Sequence, residues 1–599
     1  MASKTIVRTI ILDVQQPFFV QFVIYNSIAA TFFRFVVYYI FGMYIANCTV
    51  AEHCPHGQKS GKGITMEQAV RRHNDRTHLS KGMIIALILL LLLQTGYYIF
   101  LGAQKQVFNV DEFYTFLGAN ARVMTDGTLP YNTPLTTEQV NQFYSIQPNG
   151  RFDFAGVIDR IAPDCHPPLY YLVIHLLCSL FAPTFQFATY KWLAIGLNIL
   201  LLIPCTLLVF GILRRLCANP TVCLVGTLLF ALAPVTASTA IFCRMYALLL
   251  FFGVLFAWVH ISYWDKPLDL HFFVIALLAA VGGTMSQYYF LIFQFFLCLW
   301  FGVRLLLQKR WKAAVPYLFT MLGSVGLCTL IFPPMLNQLL NSSRGQEAAK
   351  NLTKKPFLDQ LMGSNGTFSL LDENVFGGLL KLLLVLFVLI GALLILGRIF
   401  TAAQRKGLWN RPEWMLLFTG AAYFLLVTKL APYHSIRYWI IACGILLIAT
   451  VSCLSKLVSF FVKRRYMQPI RILLCTALLF MTATNVAPGN LEFSQRRDPT
   501  LPNALVENNV QTIYFYTNDF WRTMPDYPAY QTAGQVIFLS PKTTTDWSTV
   551  DWAHSSLFID VHVENAPEIL DGIRAQGNTI EATKLGTNYA DVYFVTAAQ

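Results

Sequence analysis

The chain has 599 residues, of which 55% are hydrophobic and 13% are charged, and its formal net charge is +13 at pH 7. Soluble domains usually carry about 25% charged residues, so this composition excludes an ordinary soluble protein and indicates a membrane protein with several spans. The Lys and Arg residues stand in short clusters between apolar runs, as is typical of cytoplasmic loops. The positive charge therefore reflects membrane topology rather than nucleic-acid binding.

Residues 1–80 are predicted to form an N-terminal extension. Its aromatic run over residues 18–44 is compatible with either a span or an interfacial helix, because it carries Arg34 near its middle. The cluster His53, Cys54 and His56 contains metal-binding residue types at tight spacing. It lacks the matching second half that a zinc site needs, so we predict no metal site there.

The first clear span is predicted at residues 83–101, because about 20 apolar residues at 1.5 Å each cross the hydrocarbon core. Basic residues precede this span, which puts its start on the cytoplasmic side. Asp111 and Glu112 follow ten and eleven residues after its last leucine, Leu101. We therefore expect both carboxylates at the outer membrane surface, at the start of a long polar loop over residues 104–166.

Apolar runs paired with basic clusters predict the remaining spans. If successive spans cross the membrane in opposite directions, every dense basic cluster lies on the cytoplasmic side. Polar residues of several loops then lie on the outer side, together with Asp111. This alternation requires either that the apolar run 167–182 does not cross fully or that the N-terminal extension compensates. The predicted spans are 190–213, 221–242, 245–263, 270–286, 289–307, 313–332, 378–397, 413–431, 438–455 and 470–487, and the polar residues placed outside are Arg244, Gln287, His434 and Arg437.

Residues 488–599 are predicted to form a small exoplasmic α/β domain. Four short segments alternate as strands, namely TIYFYT, QVIFLS, SLFIDVHV and DVYFVTA, and a helix is expected near PEILDGIRAQG. The fold class is therefore an all-α polytopic membrane domain over residues 81–487, with about 11 to 13 transmembrane helices, followed by this small C-terminal α/β domain.

One carboxylate and several cations at one membrane face suit group transfer from a lipid phosphate. Burial raises the pKa of a carboxylate towards the range in which it acts as a general base. Arginines hold a phosphate through bidentate hydrogen bonds and stabilise it as it leaves. The alternative is structural, with Asp111 capping the helix that follows and the arginines extending to lipid headgroups. These residues by themselves favour neither interpretation.

Five short motifs follow one another over roughly residues 82–455, namely the Asp-Glu pair, HPPLYY, RMYAL, QYYF and RYW. The resemblance that their order carries is to the GT-C glycosyltransferases, and most closely to the branch that holds the protein O-mannosyltransferases and the lipid A aminoarabinose transferases. It implies a GT-C fold in which Asp111 is the catalytic carboxylate, with Glu112 beside it.

The resemblance also implies a donor-phosphate site and a substrate pocket. His166 stands where the aminoarabinose branch has Lys and the mannosyltransferases have His. Lys191 stands where the family often has Arg, so the charge is kept and the fork geometry is lost. Gln287 stands where the family's turn often begins with His, which puts a histidine role there in doubt. The expected phosphate-binding residues are His166, Lys191, Arg244, Tyr246, Arg437 and Tyr438, and the expected pocket residues are Asp164, Gln287, Tyr288, Tyr289 and His434.

The implied function is transfer of a sugar from a polyprenyl-phosphate donor to an acceptor hydroxyl on the exoplasmic face of the cell membrane, with inversion at the anomeric carbon. No cofactor or nucleotide is expected, and no metal is required. The expected partners are membrane lipid, the lipid-linked sugar and a glycan, lipid or protein acceptor, without nucleic acid. Two alternatives remain. A polysaccharide ligase or lipid-linked sugar transporter would show internal symmetry or mid-membrane charges, and a non-catalytic scaffold would tolerate Asp111→Asn.

Overall fold

A computed structural model describes the chain from residue 79 onwards, with gaps. The predicted N-terminal extension, including the run 18–44 and the cluster around Cys54, therefore lies almost entirely outside the described residues. Most of the predicted span 378–397 lies outside them as well. The gaps after residue 79 are 122–129, 218, 355, 364–365, 386–410, 462–465, 486–490, 495–499, 518–519, 541–544, 553, 561–565, 578–579, 588–589 and 598–599.

The first part of the chain is helical and its helices agree closely with the predicted spans. The predicted run 270–286, for example, is the helix Leu270–Ser286. In chain order the helices are α1 (Lys81–Gln104), α2 (Val110–Asn120), α3 (Thr137–Gln142), α4 (Phe154–Ile161), α5 (Leu169–Phe181), α6 (Phe187–Leu216), α7 (Pro220–Leu232), α8 (Pro234–Ile241), α9 (Tyr246–Ser262), α10 (Leu270–Ser286), α11 (Phe290–Leu307), α12 (Trp311–Ile331), α13 (Met335–Asn341), α14 (Ser343–Lys354), α15 (Phe357–Met362), α16 (Thr367–Leu371), α17 (Pro412–Leu430), α18 (Ile440–Phe461) and α19 (Met467–Asn485).

Among the described residues, five helices are long and apolar enough to cross a membrane, namely α1, α6, α11, α12 and α17. The pair α7 and α8 adds a sixth if it is counted as one span, although it bends by 47° between its halves. Pro234 explains the bend, because proline cannot donate the backbone hydrogen bond that would continue α7. The predicted count of about 11 to 13 spans stays a prediction.

Helix α5 is shorter than a span. Its 13 residues extend over about 20 Å, less than the roughly 30 Å of a hydrocarbon core. The alternation of sides required that the run 167–182 not cross fully, and the length of α5 agrees with that requirement. The chain reaches α6 after a short turn, so both ends of α5 remain near the elements that carry the polar loop.

The C-terminal part contains a six-stranded mixed sheet with the order β1-β3-β2-β4-β6-β5. All four predicted strands are present, and the helix predicted near PEILDGIRAQG is α22. Strand β5 was not predicted, because its polar and small residues do not alternate clearly. The elements are β1 (Pro134–Leu135), α20 (Thr500–Glu507), β2 (Thr512–Tyr516), α21 (Tyr527–Tyr530), β3 (Gln535–Leu539), β4 (Ser555–Asp560), α22 (Ala566–Ala575), β5 (Ile580–Thr587) and β6 (Ala590–Ala597).

One strand of this sheet comes from the first polar loop. Strand β1 pairs antiparallel with β3 at the edge of the sheet. The backbone N–H of Asn132 donates to the carbonyl of Phe538 at 2.8 Å, and the Thr137 hydroxyl donates to the carbonyl of Tyr530 at 3.1 Å. The loop and the C-terminal part are therefore joined by backbone pairing, above the end of the bundle where Asp111 lies.

Candidate functional site

Asp111 lies in the first turn of α2, and Asn109 is the residue that caps this helix. The Asn109 side chain accepts the N–H of Asp111 at 3.0 Å. The structural alternative, in which Asp111 caps the helix, is therefore wrong. The Asp111 carboxylate instead forms an ion pair with Arg437, and its side chain keeps 30% exposure. It is a partly accessible carboxylate held by a cation from a distant part of the chain.

Arg244 is buried beside this pair, in the turn between α8 and α9. One of its terminal nitrogens donates to the Tyr171 hydroxyl at 3.0 Å and to the Thr115 hydroxyl at 3.3 Å. The other terminal nitrogen faces Nε2 of His166 at 3.2 Å. The Nε atom of Arg244 is buried without a hydrogen-bond partner among the described atoms. The guanidinium is held by the Tyr171 and Thr115 hydroxyls and lies against the His166 imidazole.

His166 joins Arg244 to Asp164. Its Nδ1 lies 2.9 Å from the Asp164 carboxylate. Burial opposes protonation of His166, but Asp164 outweighs burial and raises the pKa of His166 to about 9. Burial likewise opposes ionisation of Asp164, but the His166 charge and hydrogen bond lower the pKa of Asp164 to about 2. The two side chains form a charged pair at neutral pH.

Asp111, His166, Arg244 and Arg437 are called the arginine cluster below. Burial opposes ionisation of Asp111, but the charges of Arg437 and Arg244 outweigh it, so the pKa of Asp111 lies below its usual value. Arg437 also lies over the rings of Tyr433, at 4.8 Å, and Tyr438, at 5.2 Å. An arrangement with two guanidinium groups and one partly exposed carboxylate can bind a phosphate and accept a proton.

Glu112 points away from Asp111 towards a different face of α2 and is completely buried. It forms an ion pair with Lys105 at 2.9 Å, and both side chains have 0% exposure. Its oxygens also accept the backbone N–H of Asn109 and that of Cys243, each at 2.7 Å. Because the carboxylate is completely buried and both its oxygens are engaged by a cation and backbone N–H groups, a structural role is favoured over the catalytic one considered from sequence.

Lys191 lies beside Lys105 rather than in the arginine cluster. Its ammonium donates to the backbone carbonyl of Lys105 at 2.8 Å and lies 5.2 Å from the ring centre of Trp192. We call Lys105, Glu112 and Lys191 the lysine cluster. The structure thus places Lys191, expected from sequence at the donor phosphate, on the Glu112 side of α2.

The aromatic candidates line the arginine cluster on the side of α9 and α11. Tyr246 is buried and stacks on Phe242 at 5.5 Å. Tyr438 is nearly buried, packs edge-on against Tyr289 at 5.6 Å, and contacts Arg437. These rings can exclude water around the cations and leave a surface on which a sugar ring can stack.

The remaining pocket candidates divide between the arginine cluster and its surroundings. Tyr288 donates its hydroxyl to Gln338 at 2.6 Å, and Gln338 in turn donates to the carbonyl of Ile161 at 2.7 Å, so this tyrosine anchors the loop before His166. Gln287 is buried at the end of α10. His434 is exposed, with its ring centre 6.4 Å from that of Trp439. Tyr288 therefore supports the site from behind, and His434 lies at its rim.

Sequence reasoning missed several residues that contact the site. Lys105 was missed because its ion pair with Glu112 is seen only in the three-dimensional structure. Arg344 lies at the rim, 5.8 Å from the Tyr433 ring that Arg437 also contacts, and its sequence context is an ordinary polar loop. Glu492 binds the turn that carries Arg437. None of the three residues belongs to a recognisable sequence motif, because each acts through a tertiary contact.

Among the described residues, one set of three has the chemistry to hold a metal ion. Asp164, Cys165 and His166 each offer one ligand atom, and these atoms lie within 4.8 Å of one another. The same atoms satisfy each other without a metal, since His166 Nδ1 contacts both Asp164 and Cys165 Sγ, the latter at 3.4 Å. The expectation that no metal is required stays a prediction.

Solved structures similar to this chain are membrane enzymes. One is ArnT from Cupriavidus metallidurans bound to undecaprenyl phosphate, at 12% identity and a TM-score of 0.48, covering 87% of this chain and 100% of ArnT. Another is the archaeal oligosaccharyltransferase AglB from Archaeoglobus fulgidus, in complex with an inhibitory peptide and a dolichol-phosphate, at 11% identity and a TM-score of 0.46, covering 87% of this chain and 74% of AglB.

Both are GT-C membrane glycosyltransferases, the superfamily that the motifs of this chain resemble. No protein-family model and no curated protein sequence matches the chain. At about 12% identity and TM-scores below 0.5, residue roles do not transfer from either protein. Roles at this site follow from its own contacts.

Proposed function

We propose that this chain is a membrane glycosyltransferase that moves a sugar from a polyprenyl-phosphate donor to an acceptor hydroxyl. The observation that supports the proposal is the contact between Asp111 and Arg437, which are 326 residues apart, with Arg244 and His166 beside them. These groups meet at the ends of apolar helices, where a lipid phosphate would lie. The same class of lipid is named in the ArnT and AglB structures.

In the proposed reaction, the Asp111 carboxylate and the cationic side chains have different tasks. Asp111 takes the proton from the acceptor hydroxyl as its oxygen attacks the anomeric carbon. The bond from that carbon to the phosphate oxygen breaks, and its electron pair leaves with the lipid phosphate. Attack from the side opposite the phosphate inverts the anomeric carbon. Arg244, Arg437 and His166 stabilise the additional negative charge that develops on the departing phosphate.

The low pKa of Asp111 is a property of the donor-free site. Arg437 and Arg244 stabilise the Asp111 carboxylate, which makes it a weak base. A donor phosphate presents a second anion to the same two guanidinium groups. It draws their hydrogen bonds away and adds a like charge, and both effects raise the pKa of a neighbouring carboxylate. Donor binding therefore prepares Asp111 to accept the proton.

We further propose that the site faces the exoplasmic side and that transfer uses no cofactor. The placement follows from the basic clusters between the predicted spans, which favour a cytoplasmic position for the opposite ends of the helices. Two arginines and a charged histidine supply the cationic stabilisation that a divalent ion would otherwise provide. We expect transfer to continue in the presence of a chelator. Loss of transfer that zinc or another divalent ion restores would instead assign Asp164, Cys165 and His166 to a metal.

The decisive experiment is a transfer assay on the full chain in lipid nanodiscs. A panel of polyprenyl-phosphate hexoses, pentoses and amino sugars is offered with glycan, lipid and peptide acceptors, and both free polyprenyl phosphate and glycosylated product are measured by mass spectrometry. We expect transfer from at least one donor. The transporter alternative predicts that sealed vesicles move lipid-linked sugar across the membrane while no sugar–phosphate bond breaks.

The matched variants are Asp111→Asn and Asp359→Asn. Asp111→Asn keeps the size of the side chain and removes the base, so turnover should fall by about 10²–10⁴-fold while polyprenyl phosphate still binds. Asp359 is an exposed aspartate of α15, and its variant should transfer at the wild-type rate. Wild-type turnover by Asp111→Asn would remove Asp111 from the role of base.

A further inference from the structure

The residues Leu491–Ser494 lie between the last apolar helix and the C-terminal sheet, and we call them the linker segment. They follow α19 and precede α20. Leu491 and Phe493 are buried, with 9% and 3% exposure. A connection between two parts of a protein usually runs over the surface. The linker segment instead packs against the two segments that carry Arg244 and Arg437.

The first contact is with the turn that carries Arg437. Glu492 accepts the backbone N–H of Ile436 at 2.8 Å through one carboxylate oxygen and the Ser435 hydroxyl through the other. Ile436–Tyr438 form a single 3₁₀ turn. Backbone N–H groups at the start of a helical turn lack partners within it, so an external carboxylate fixes both the position and the direction of the turn. Arg437 is the next residue after Ile436.

The second contact is with the segment that carries Arg244. The Phe493 ring stacks on Phe242 with centres 3.6 Å apart and planes within 3°. The Phe493 carbonyl accepts the Lys105 ammonium at 2.9 Å. Lys105 pairs with Glu112, whose other oxygen accepts the N–H of Cys243. The two residues that precede Arg244 are thus held by the linker segment, one through its ring and the other through a buried ion pair.

We propose that the linker segment positions the two phosphate-binding arginines, and that Glu492 is the positioning residue that directs Arg437 to Asp111. This inference rests on the proposed function for its kinetic consequence, because the arginines are assigned there to the donor phosphate. Arg244 and Arg437 approach the site from different elements, which are the turn between α8 and α9 and the turn before α18. A rigid bridge between them sets their separation, which a phosphate with fixed oxygen spacing requires.

The structural test does not depend on any activity. The full chain with Glu492→Ala is solved by cryo-electron microscopy in nanodiscs beside the wild type. We expect the Ser435–Tyr438 turn to shift and the contact between Arg437 and Asp111 to be lost. An unchanged turn with Arg437 still on Asp111 would overturn the inference, whatever reaction the protein catalyses.

The kinetic test separates positioning from folding. With the donor that the wild type uses, Glu492→Ala should lower kcat/KM by about 10²-fold, with a higher KM for the donor as well as a lower kcat, since small misplacements of binding groups carry such costs. A purely structural loss would reduce the amount of folded enzyme and leave KM unchanged. That result would also count against the inference.

Two further variants serve as rescue and control. Glu492→Gln keeps an acceptor for the Ile436 N–H and a polar partner for Ser435, so most of the lost kcat/KM should return. Glu507→Gln changes an exposed glutamate of α20 and should match the wild type. If the wild type transfers no sugar from any donor, the proposed function fails, and the cryo-electron microscopy comparison still decides the positioning role.

Discussion

Asp111 and Glu112 are neighbours in sequence and belong to two different regions of the molecule. The arginine cluster around Asp111 has a partly exposed carboxylate and cations from the turn between α8 and α9 and from the turn before α18. The lysine cluster around Glu112 is closed, and its carboxylate contacts an ammonium and two backbone N–H groups. Successive residues on a helix point about 100° apart, so one turn of α2 presents one acid to each region.

The difference shows how burial divides tasks between identical chemical groups. A carboxylate with all its lone pairs satisfied inside the protein holds backbone segments in place and is poorly suited to accept a substrate proton. A carboxylate whose cationic partners are accessible to solvent can lose those partners to an anionic ligand. The same pair of letters in the sequence therefore supplies one candidate base and one structural anchor.

The largest expected effect comes from breaking the lysine cluster. Glu112→Gln leaves the Lys105 charge buried without its counter-ion, which should lower the free energy of unfolding by about 3–5 kcal/mol. Thermal unfolding of the purified chain measures this loss. The double variant Glu112→Gln with Lys105→Met should recover much of the stability, because no buried charge remains. Unchanged stability of Glu112→Gln would mean that the buried pair is not an anchor.

Arg437 gives the second effect, on donor affinity. Arg437→Ala removes a cation that contacts the phosphate before and during transfer, and hydrogen bonds to charged groups contribute about 1.5–3 kcal/mol. Affinity for polyprenyl phosphate should fall by about tenfold to a hundredfold, measured by lipid binding in detergent. Arg437→Lys keeps the charge without the planar fork, so its affinity should lie between those of the wild type and Arg437→Ala. Equal binding by all three proteins would place the phosphate elsewhere.

The pH dependence gives a third, smaller effect. The folded-state pKa of Asp111 is lowered from its usual value by Arg437 and Arg244, against the effect of burial, so the active carboxylate form is present above that pKa and is lost as pH falls through it. In Arg437→Ala the pKa of Asp111 should rise, and the acid limb of the kcat/KM profile should move to higher pH. A limb that stays in place, or moves to lower pH, would contradict the contact between the two residues.

The smallest effect is expected from Lys191→Met. Its ammonium donates to the Lys105 carbonyl rather than to the arginine cluster, so the loss should be one hydrogen bond of about 0.5–1.5 kcal/mol in stability. The KM for the donor should remain near the wild-type value, and the acid limb of the pH profile should not move. A KM increase as large as that of Arg437→Ala would return Lys191 to the donor phosphate, as its place in the sequence suggested.

The helices were predictable from sequence because lipid imposes a simple rule on them. Apolar runs of about 20 residues between basic clusters can hardly be anything other than spans, and the run 289–307 is accordingly the helix Phe290–Leu307. The break at Pro234 was missed, since proline is tolerated inside membrane helices when neighbours satisfy the freed groups. Strand β5 was missed because Ile580–Thr587 mixes charged, small and β-branched residues without a period of two.

The site was predictable to the extent that residues stand at the ends of spans. Asp111, Arg244 and Arg437 were expected at one face for that reason, and they lie together. The pairing of Glu112 with Lys105, the position of Lys191 and the role of Glu492 depend on contacts between segments far apart in sequence. Lys105 and Phe493, for example, are 388 residues apart. Local patterns carry no information about which distant segment fills a given space.

The pairing of β1 with β3 has a consequence for the order in which the protein is made. Pro134 of β1 pairs with Ile537 of β3, far along the chain, so the ribosome releases the loop strand long before the strand that it must pair with. Until β3 has been synthesised, the backbone N–H and C=O groups of β1 lack their strand partner. Contacts of such long range form late in folding, because closing the intervening chain costs entropy first. The arginine cluster depends on a contact of similar range, since Asp111 and Arg437 are 326 residues apart, so a nascent chain can insert its first spans while still lacking a finished site.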